Sequence, residues 1–214
     1  MAASVLLVGL GNPGPEYALS RHNVGFWALD RISKAHRIVV RSPRHHSLVG
    51  RGVIGGCPAL LAKPQTYMNL SGKAVRALLR AEGLGAESLI VLHDDMDIPL
   101  GKVKLKTTGG DAGHNGIASI IESLGMRDFR RLRIGLGRPP EEVEDRADWL
   151  LSPFLDSELE VIEEGIDRVA DRAVALVRQE IDLRIALSRE SVQTKGDVLR
   201  GRLKRVRVDQ TLVE

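Results

Sequence analysis

Ser4-Val-Leu-Leu-Val-Gly9-Leu-Gly11-Asn12-Pro13-Gly14, followed by Arg21-His22-Asn23, opens the chain with an apolar run that breaks at closely spaced glycines. Gly9-x-Gly11-x-x-Gly14 after a strand-like segment matches the pattern of a dinucleotide-binding fold. In such a site the third glycine opens a helix that holds a pyrophosphate, and an acid about 20 residues on takes the ribose. That context is missing here. Pro13 and Pro15 flank the last glycine, Arg21-His22-Asn23 precedes the first convincing helix, and the next acid beyond it, Asp30, falls inside a helical pattern. The run reads instead as a buried strand ending in a tight turn that presents Asn12. An imidazole flanked by Arg and Asn follows shortly after.

Outward from this stretch, apolar runs alternate with helical periodicity, which argues for an α/β layered domain. The expected architecture is a single twisted, mixed, largely parallel sheet with helices on both faces. Strands are expected at Val5–Leu10, Ser47–Ile54, Ala59–Ala62, Leu89–Leu92, Lys102–Lys106 and Leu132–Leu136. Helices are expected at Val24–His36 with Asn23 as its cap, at Ser71–Ala81 stopped by Gly83, and at Ile117–Leu124. Glu141–Leu150 reads as a short helix. The spacing of Leu159, Ile162, Ile166, Val169, Ala173 and Leu176 gives a long amphipathic helix from Asp156 to about Leu187. Trp27 reads as core, and Trp149 as core or as a packing contact for that last helix. Composition changes after Ser188, so residues 1–188 are expected to form the domain and 189–214 a basic extension.

The 214 residues suffice for one sizeable core, and no apolar run reaches membrane-span length. The N-terminal apolar run lacks a basic lead and reads as a strand, not a signal peptide. A single cysteine, Cys57, excludes an internal disulfide framework and suits a reducing, cytoplasmic setting. Net charge is only +3, but its distribution is uneven. Lys102, Lys104 and Lys106 alternate along one strand, with their ammonium groups expected on one side. Arg130, Arg131 and Arg133 cluster, and Asp156 to Glu164 is acidic, a footprint suited to a polyanion. His45-His46 lacks partners at metal-ligand spacing and reads as an exposed loop.

Five motifs fall at expected strand ends or in loops: Gly11-Asn12-Pro13-Gly14, Arg21-His22-Asn23, Pro64-Gln65-Thr66-Tyr67-Met68-Asn69-Leu70-Ser71-Gly72, His93-Asp94-Asp95-Met96-Asp97 and Gly113-His114-Asn115-Gly116. In open α/β sheets the crevice outside the carboxyl ends of the strands is where ligands bind. Together the motifs supply imidazole, carboxylates and several carboxamides without a cysteine nucleophile. Carboxamides suit neutral hydrogen bonding to an ester or amide carbonyl.

In this order, VGLGNPG, RHNVG, KPQTYMNLSG, HDDMDIPLGKVKLK, GHNG and FRRLRIGLGRP resemble the bacterial peptidyl-tRNA hydrolase family, from about Val5 to about Leu187. The resemblance implies a monomeric α/β enzyme that uses no metal or other cofactor. It would cleave the ester between a peptide and the 3′ ribose of tRNA and so recycle prematurely released peptidyl-tRNA. By position in the motifs, His22 matches the catalytic base and Asp94 the acid that orients it. Asn12, Asn69 and Asn115 match carboxamides that hold substrate, water or oxyanion, with Asn12 telling a blocked α-amino group from a free one. Tyr17, Asn23, Tyr67, Met68 and His114 are expected to border the site of the terminal adenosine and the peptide. Lys104, Lys106 and Arg133 are expected to grip the 5′-phosphate and acceptor stem.

The sequence departs from the family in two places. Asp111 and Ala112 stand where many relatives carry small or neutral residues and Gly, and Ala186-Leu187-Ser188-Arg189 keeps only Arg of a usual Asn-Arg pair. Two rival functions are a nicotinamide enzyme, against which the missing fingerprint context speaks, and a non-catalytic RNA-binding relative. Intact His22, Asp94, Asn12, Asn69 and Asn115 speak against the latter.

Overall fold

Gly9 and Gly25 govern how the first helix meets the sheet. The computed structural model describes residues 3–179. In it β1 (Val5–Gly9) lies at the centre of the sheet and is buried along its whole length. A Cβ on Gly9 would sit 2.3 Å from the Gly25 carbonyl oxygen, and one on Gly25 would sit 2.4 Å from that of Leu92. Helix α1 (Val24–Ala35) therefore begins directly on strand backbone with no side chain between. The first glycine of the opening run serves helix–strand contact, not a phosphate.

The seven strands are ordered β2-β3-β4-β1-β5-β7-β6. Here β2 is Ser42–Arg44, β3 Ser47–Ile54, β4 Cys57–Pro64, β5 Leu89–Asp95, β6 Val103–Lys106 and β7 Arg130–Gly135. β4, β1, β5 and β7 run parallel, while β2, β3 and β6 add antiparallel edges, giving the expected mixed sheet. On one face Leu6, Val8 and Val91 pack with Val75, Leu78 and Ile120 of α2 (Ser71–Glu82) and α3 (Asn115–Leu124). The other face carries α1, joined to the final helix by Arg31 ion pairs to Glu163 and Asp167. That helix, α5, starts at residue 156 and buries Ile162, Ile166, Val169 and Ala173, a stripe at helical spacing. Burial of the Ile162, Ile166 and Val169 side chains contributes roughly 1.5–3 kcal/mol each.

The differences from the sequence reading have local causes. β5 runs on through His93, Asp94 and Asp95 because β7 pairs with it to that point, so the polar triplet is part of the central sheet. The short helix α4 is Arg146–Leu151, not Glu141–Leu150, because Asp145 caps it by accepting from the Ala147 and Asp148 amides. β2 pairs with β3 through a turn at His45-His46, both at positive φ and exposed. Trp27 is half-buried, not core: its indole N–H donates to the Ala18 carbonyl at 2.9 Å and its ring meets Phe154. Asn23 occupies the position before α1, but its side chain makes no cap. The extension expected over 189–214, the end of the expected long helix and the Ala186–Arg189 segment lie outside the described residues.

One strained residue sits in the loop before α3. Ala112 has φ +54, while the Asp111 carboxylate accepts from the Gly113 amide at 2.8 Å and fixes the turn. The left-handed conformation costs a residue with a Cβ roughly 1–2 kcal/mol, offset in part by the larger unfolded-state freedom of glycine. Ala112→Gly is therefore expected to stabilise the fold by about 1 kcal/mol, seen as a rise in Tm of roughly 2–4 °C. An unchanged or lower Tm would show that the turn holds Ala112 without strain.

Candidate active site

The Arg21–Asn23 turn is a single turn of 3-10 helix whose three residues are all buried. Because α1 starts on the backbone of β1 and β5, this turn lies over the carboxyl end of β5. Arg21 anchors it from outside. Its guanidinium donates to the Ser152 hydroxyl at 2.8 Å and to the Pro153 carbonyl, pairs with Glu158 at 2.6 Å, and lies over the Trp149 and Phe154 rings. Trp149 thus serves as a platform for Arg21 (a contact the sequence did not disclose).

His22 faces Asp94. Its Nδ1 is 2.9 Å from Oδ1 and 3.0 Å from Oδ2, and both side chains are buried. His114 Nε2 reaches the same Oδ1 at 3.0 Å. The protons on both rings can be placed by counting donors and acceptors. His114 Nδ1 accepts from the Gly116 and Ile117 amides at 3.1 and 3.3 Å, so it carries no proton and Nε2–H donates to Asp94. Asp94, an acceptor when ionised, likewise takes the proton of His22 Nδ1. That leaves the His22 Nε2 lone pair for the crevice that His22 lines.

The electrostatics agree with this arrangement. Burial works against a charge on Asp94, yet the two imidazoles and their hydrogen bonds hold its carboxyl far below the usual carboxylate range. Burial works against protonating His22 as well, but the Asp94 charge and hydrogen bond outweigh it and raise its pKa above 6.5. A third imidazole, His93, was not singled out by sequence reasoning. Its Nδ1–H donates to the Asp94 carbonyl at 2.7 Å, its ring meets His114 edge-on, and burial together with His114 keeps its pKa well below 6.5. Only its place directly after the apolar Leu89–Leu92 run could have flagged it.

Asp95 and Asp97 line the same crevice as His22 but are engaged by arginines. Asp95 pairs with Arg133 at 2.6 Å, and Asp97 with Arg138 at 2.9 Å on the surface. His22, Asp94 and His114 form a cluster whose ligand atoms lie within 4.8 Å of one another, the group among the described residues that could hold a metal ion. The nitrogens stand 2.9 and 3.0 Å from the carboxylate oxygen. Ligands around a tetrahedral zinc stand about 3.3 Å apart, so the present spacing is that of hydrogen bonds.

Asn12 is fixed from two sides. Its backbone N–H donates to Asn23 Oδ1 at 2.7 Å, and Asn23 Nδ2 donates back to its carbonyl at 3.0 Å. The Asn23 carboxamide is thereby occupied in holding Asn12. The Asn12 side-chain oxygen accepts from the Met68 amide at 2.8 Å, which leaves its Nδ2 as a donor. Met68 itself is buried, and a Cβ on Gly116 would lie 2.5 Å from its sulfur. Tyr67 and Asn69, on the 3-10 turn around Met68, are exposed. Tyr17 is half-buried on another such turn, Pro15–Tyr17.

His22, Asp94, His114 and Asn115 share a crevice of about 710 Å³, while Asn12 and Asn23 line a neighbouring cleft of about 230 Å³. On the sheet edge, Lys104 stands opposite Arg133 and Lys106 opposite Arg131. Lys104 is exposed, whereas Lys106 Nζ donates to the Gly110 carbonyl at 3.0 Å. Lys102 precedes β6. Buried Arg131 grips the Gly109, Gly110 and Arg127 carbonyls and so secures the loop that leads to His114.

Comparison with known proteins gives matches over most of the chain. A family model described as peptidyl-tRNA hydrolase matches residues 6–195. A peptidyl-tRNA hydrolase from Syntrophomonas wolfei is 45% identical over 177 residues, 83% of this chain and 95% of that protein. The crystal structure of peptidyl-tRNA hydrolase from Acinetobacter baumannii has a TM-score of 0.78 and 34% identity, covering 86% of this chain and 93% of that one. A uridine phosphorylase from Vibrio fischeri, at TM-score 0.52 and 10% identity over 84% of this chain and 93% of its own, shares the fold alone.

Proposed function

Because the chain belongs to the peptidyl-tRNA hydrolase family, we propose that it hydrolyses the ester joining a peptide, or an N-blocked amino acid, to the 3′ ribose of tRNA, with His22 as general base. The observation that carries this reading is the His22–Asp94 pair, which occupies Nδ1 of a ring that lines a crevice. His22 Nε2 takes a proton from water as the oxygen attacks the ester carbonyl. The imidazolium that forms is stabilised by Asp94 and returns the proton to the leaving ribose oxygen, so no charge is left behind. Asn69 and Asn115 supply amide N–H donors to the developing oxyanion or hold the water. No step calls on a metal or a cofactor. His114 steadies Asp94, and Asn23 acts through Asn12. Tyr17, Tyr67 and Met68 border the terminal adenosine of the CCA end and the peptide.

The orientation of Asn12 supports discrimination at the α-nitrogen. With its oxygen taken by Met68, Asn12 offers N–H groups, which suit the acyl carbonyl of a blocked amine. A free α-ammonium would present donors to a donor, and mismatched polar groups in a buried site cost about 1–3 kcal/mol. The test is release of the acyl group from N-acetyl-aminoacyl-tRNA, with unblocked aminoacyl-tRNA as control. Turnover of the blocked substrate alone is expected. Failure to cleave it would leave an RNA-binding protein that has lost hydrolysis.

Lys104, Lys106 and Arg133 are the proposed grip on the 5′-phosphate and acceptor stem. Arg133 and Lys106 have intramolecular partners to exchange for phosphate, whereas Lys104 is exposed. Lys104→Met and Lys106→Met are each expected to raise KM about three- to tenfold, leave kcat close to wild type, and flatten the salt dependence of KM. A KM that responds to neither mutation nor salt would reject the assignment. The physiological role that follows is recycling of peptidyl-tRNA dropped from ribosomes, by a monomeric cytoplasmic enzyme.

A further inference from the structure

The Arg21–Asn23 turn stands between two depressions that share no residue. His22 faces the larger one, while Asn23 and Asn12 form a wall of the smaller. We propose that the smaller cleft is the subsite for the second residue of the peptide, the one preceding the esterified amino acid, and that it takes an uncharged apolar or aromatic side chain. This rests on the reading that Asn12 Nδ2 holds the acyl carbonyl that blocks the α-nitrogen.

The first atom beyond that carbonyl is the Cα of the preceding residue. A carbonyl held by Asn12 therefore delivers that residue to the mouth of the cleft of which Asn12 is a wall. The volume, about 230 Å³, falls below that of sites which engulf whole small ligands and suits one large side chain. Phe26, Trp27 and Leu48 provide the apolar surface. The indole N–H of Trp27 is already spent on Ala18, so the ring can serve as an apolar wall without leaving a polar group stranded.

Charge at the cleft is balanced. Lys63 Nζ lies 2.7 and 2.9 Å from the two Asp30 oxygens and 5.6 Å from the centre of the Phe26 ring. The ammonium thus has a counter-ion and gives no net attraction to an acidic side chain, nor Asp30 to a basic one.

Three N-acetyl-dipeptidyl-tRNAs with Phe, Asp or Lys as the second residue, and N-acetyl-aminoacyl-tRNA as the one-residue reference, test the assignment. The wild-type protein is expected to show about fivefold lower KM for the Phe substrate than for the other two. Trp27→Ala is expected to erase that preference and leave the one-residue substrate unchanged, which also reports on folding. Should Trp27→Ala not fold, Lys63→Met serves instead. It leaves Asp30 unpaired and should lower KM for the Lys substrate several-fold with the reference unaltered.

Equal KM for all three dipeptidyl substrates in the wild type would overturn the subsite. So would an equal rise for the one-residue substrate in Trp27→Ala, which would assign the cleft to the tRNA. Failure of the wild type to cleave the one-residue substrate at all would instead sink the reading of Asn12 and His22 on which the subsite rests.

Discussion

His22→Ala is expected to lower kcat by about 10³-fold or more while leaving the fold and KM nearly unchanged. General-base catalysis contributes typically 10²–10⁴-fold, and Asp95 and Asp97, the nearest alternative acids in the motif, are paired with Arg133 and Arg138. Removing the ring vacates space beside Asp94 and the His114 ring on the wall of the crevice, so circular dichroism and Tm should report a folded protein. Near wild-type turnover would remove His22 from the reaction. With His22 as the proposed base, its unprotonated form is the active one. Since Asp94 raises the pKa of His22 above 6.5 against the opposing effect of burial, kcat should fall as pH drops through that raised value. A rate independent of pH from 5 to 8 would contradict a base at this position.

Asp94→Asn is the second large effect, and two results should appear together. The carboxylate accepts from both His22 Nδ1 and His114 Nε2. Asparagine can keep one oxygen acceptor, but its NH2 then meets a ring N–H where Oδ2 now stands 3.0 Å from Nδ1. The clash is relieved if His22 moves its proton to Nε2, the tautomer that cannot accept one from water. A fall in kcat on the order of 10²-fold is expected, smaller than for loss of the ring itself. With the charge gone, burial dominates the His22 pKa, so the acid limb of the pH–rate profile should move to lower pH. A reduced rate with an unmoved limb would mean that Asp94 does no more than hold shape.

Much of this site is readable from sequence because its parts sit at element boundaries. Gly83 ends α2 in a left-handed conformation and Ser47–Ile54 forms the expected strand, both following from local chemistry. The motifs around His22 and Asp94 stand at strand ends where an α/β sheet gathers its ligands. What stayed hidden depends on distant partners. Nothing local distinguishes an Asn23 that caps α1 from one that clasps the Asn12 backbone. Trp27 fits an apolar helix face, and only the position of Ala18 and Phe154 leaves it half-exposed. The role of His93 is hidden because the group it bonds is a backbone carbonyl, to which sequence is blind. The elongation of β5 through His93, Asp94 and Asp95 likewise needs β7 beside it.

His114 joins two functions that are usually separate, since one ring nitrogen caps α3 and the other steadies Asp94. Opening of the first turn of α3 releases the cap, and the ring is then at liberty to rotate away from the carboxylate. Heat should therefore silence such an enzyme while its sheet is still intact, the helix end acting as a fuse. Amide hydrogen exchange at Gly116 and Ile117 should quicken over the same temperatures at which activity fades, and exchange that stays slow through inactivation would break the connection.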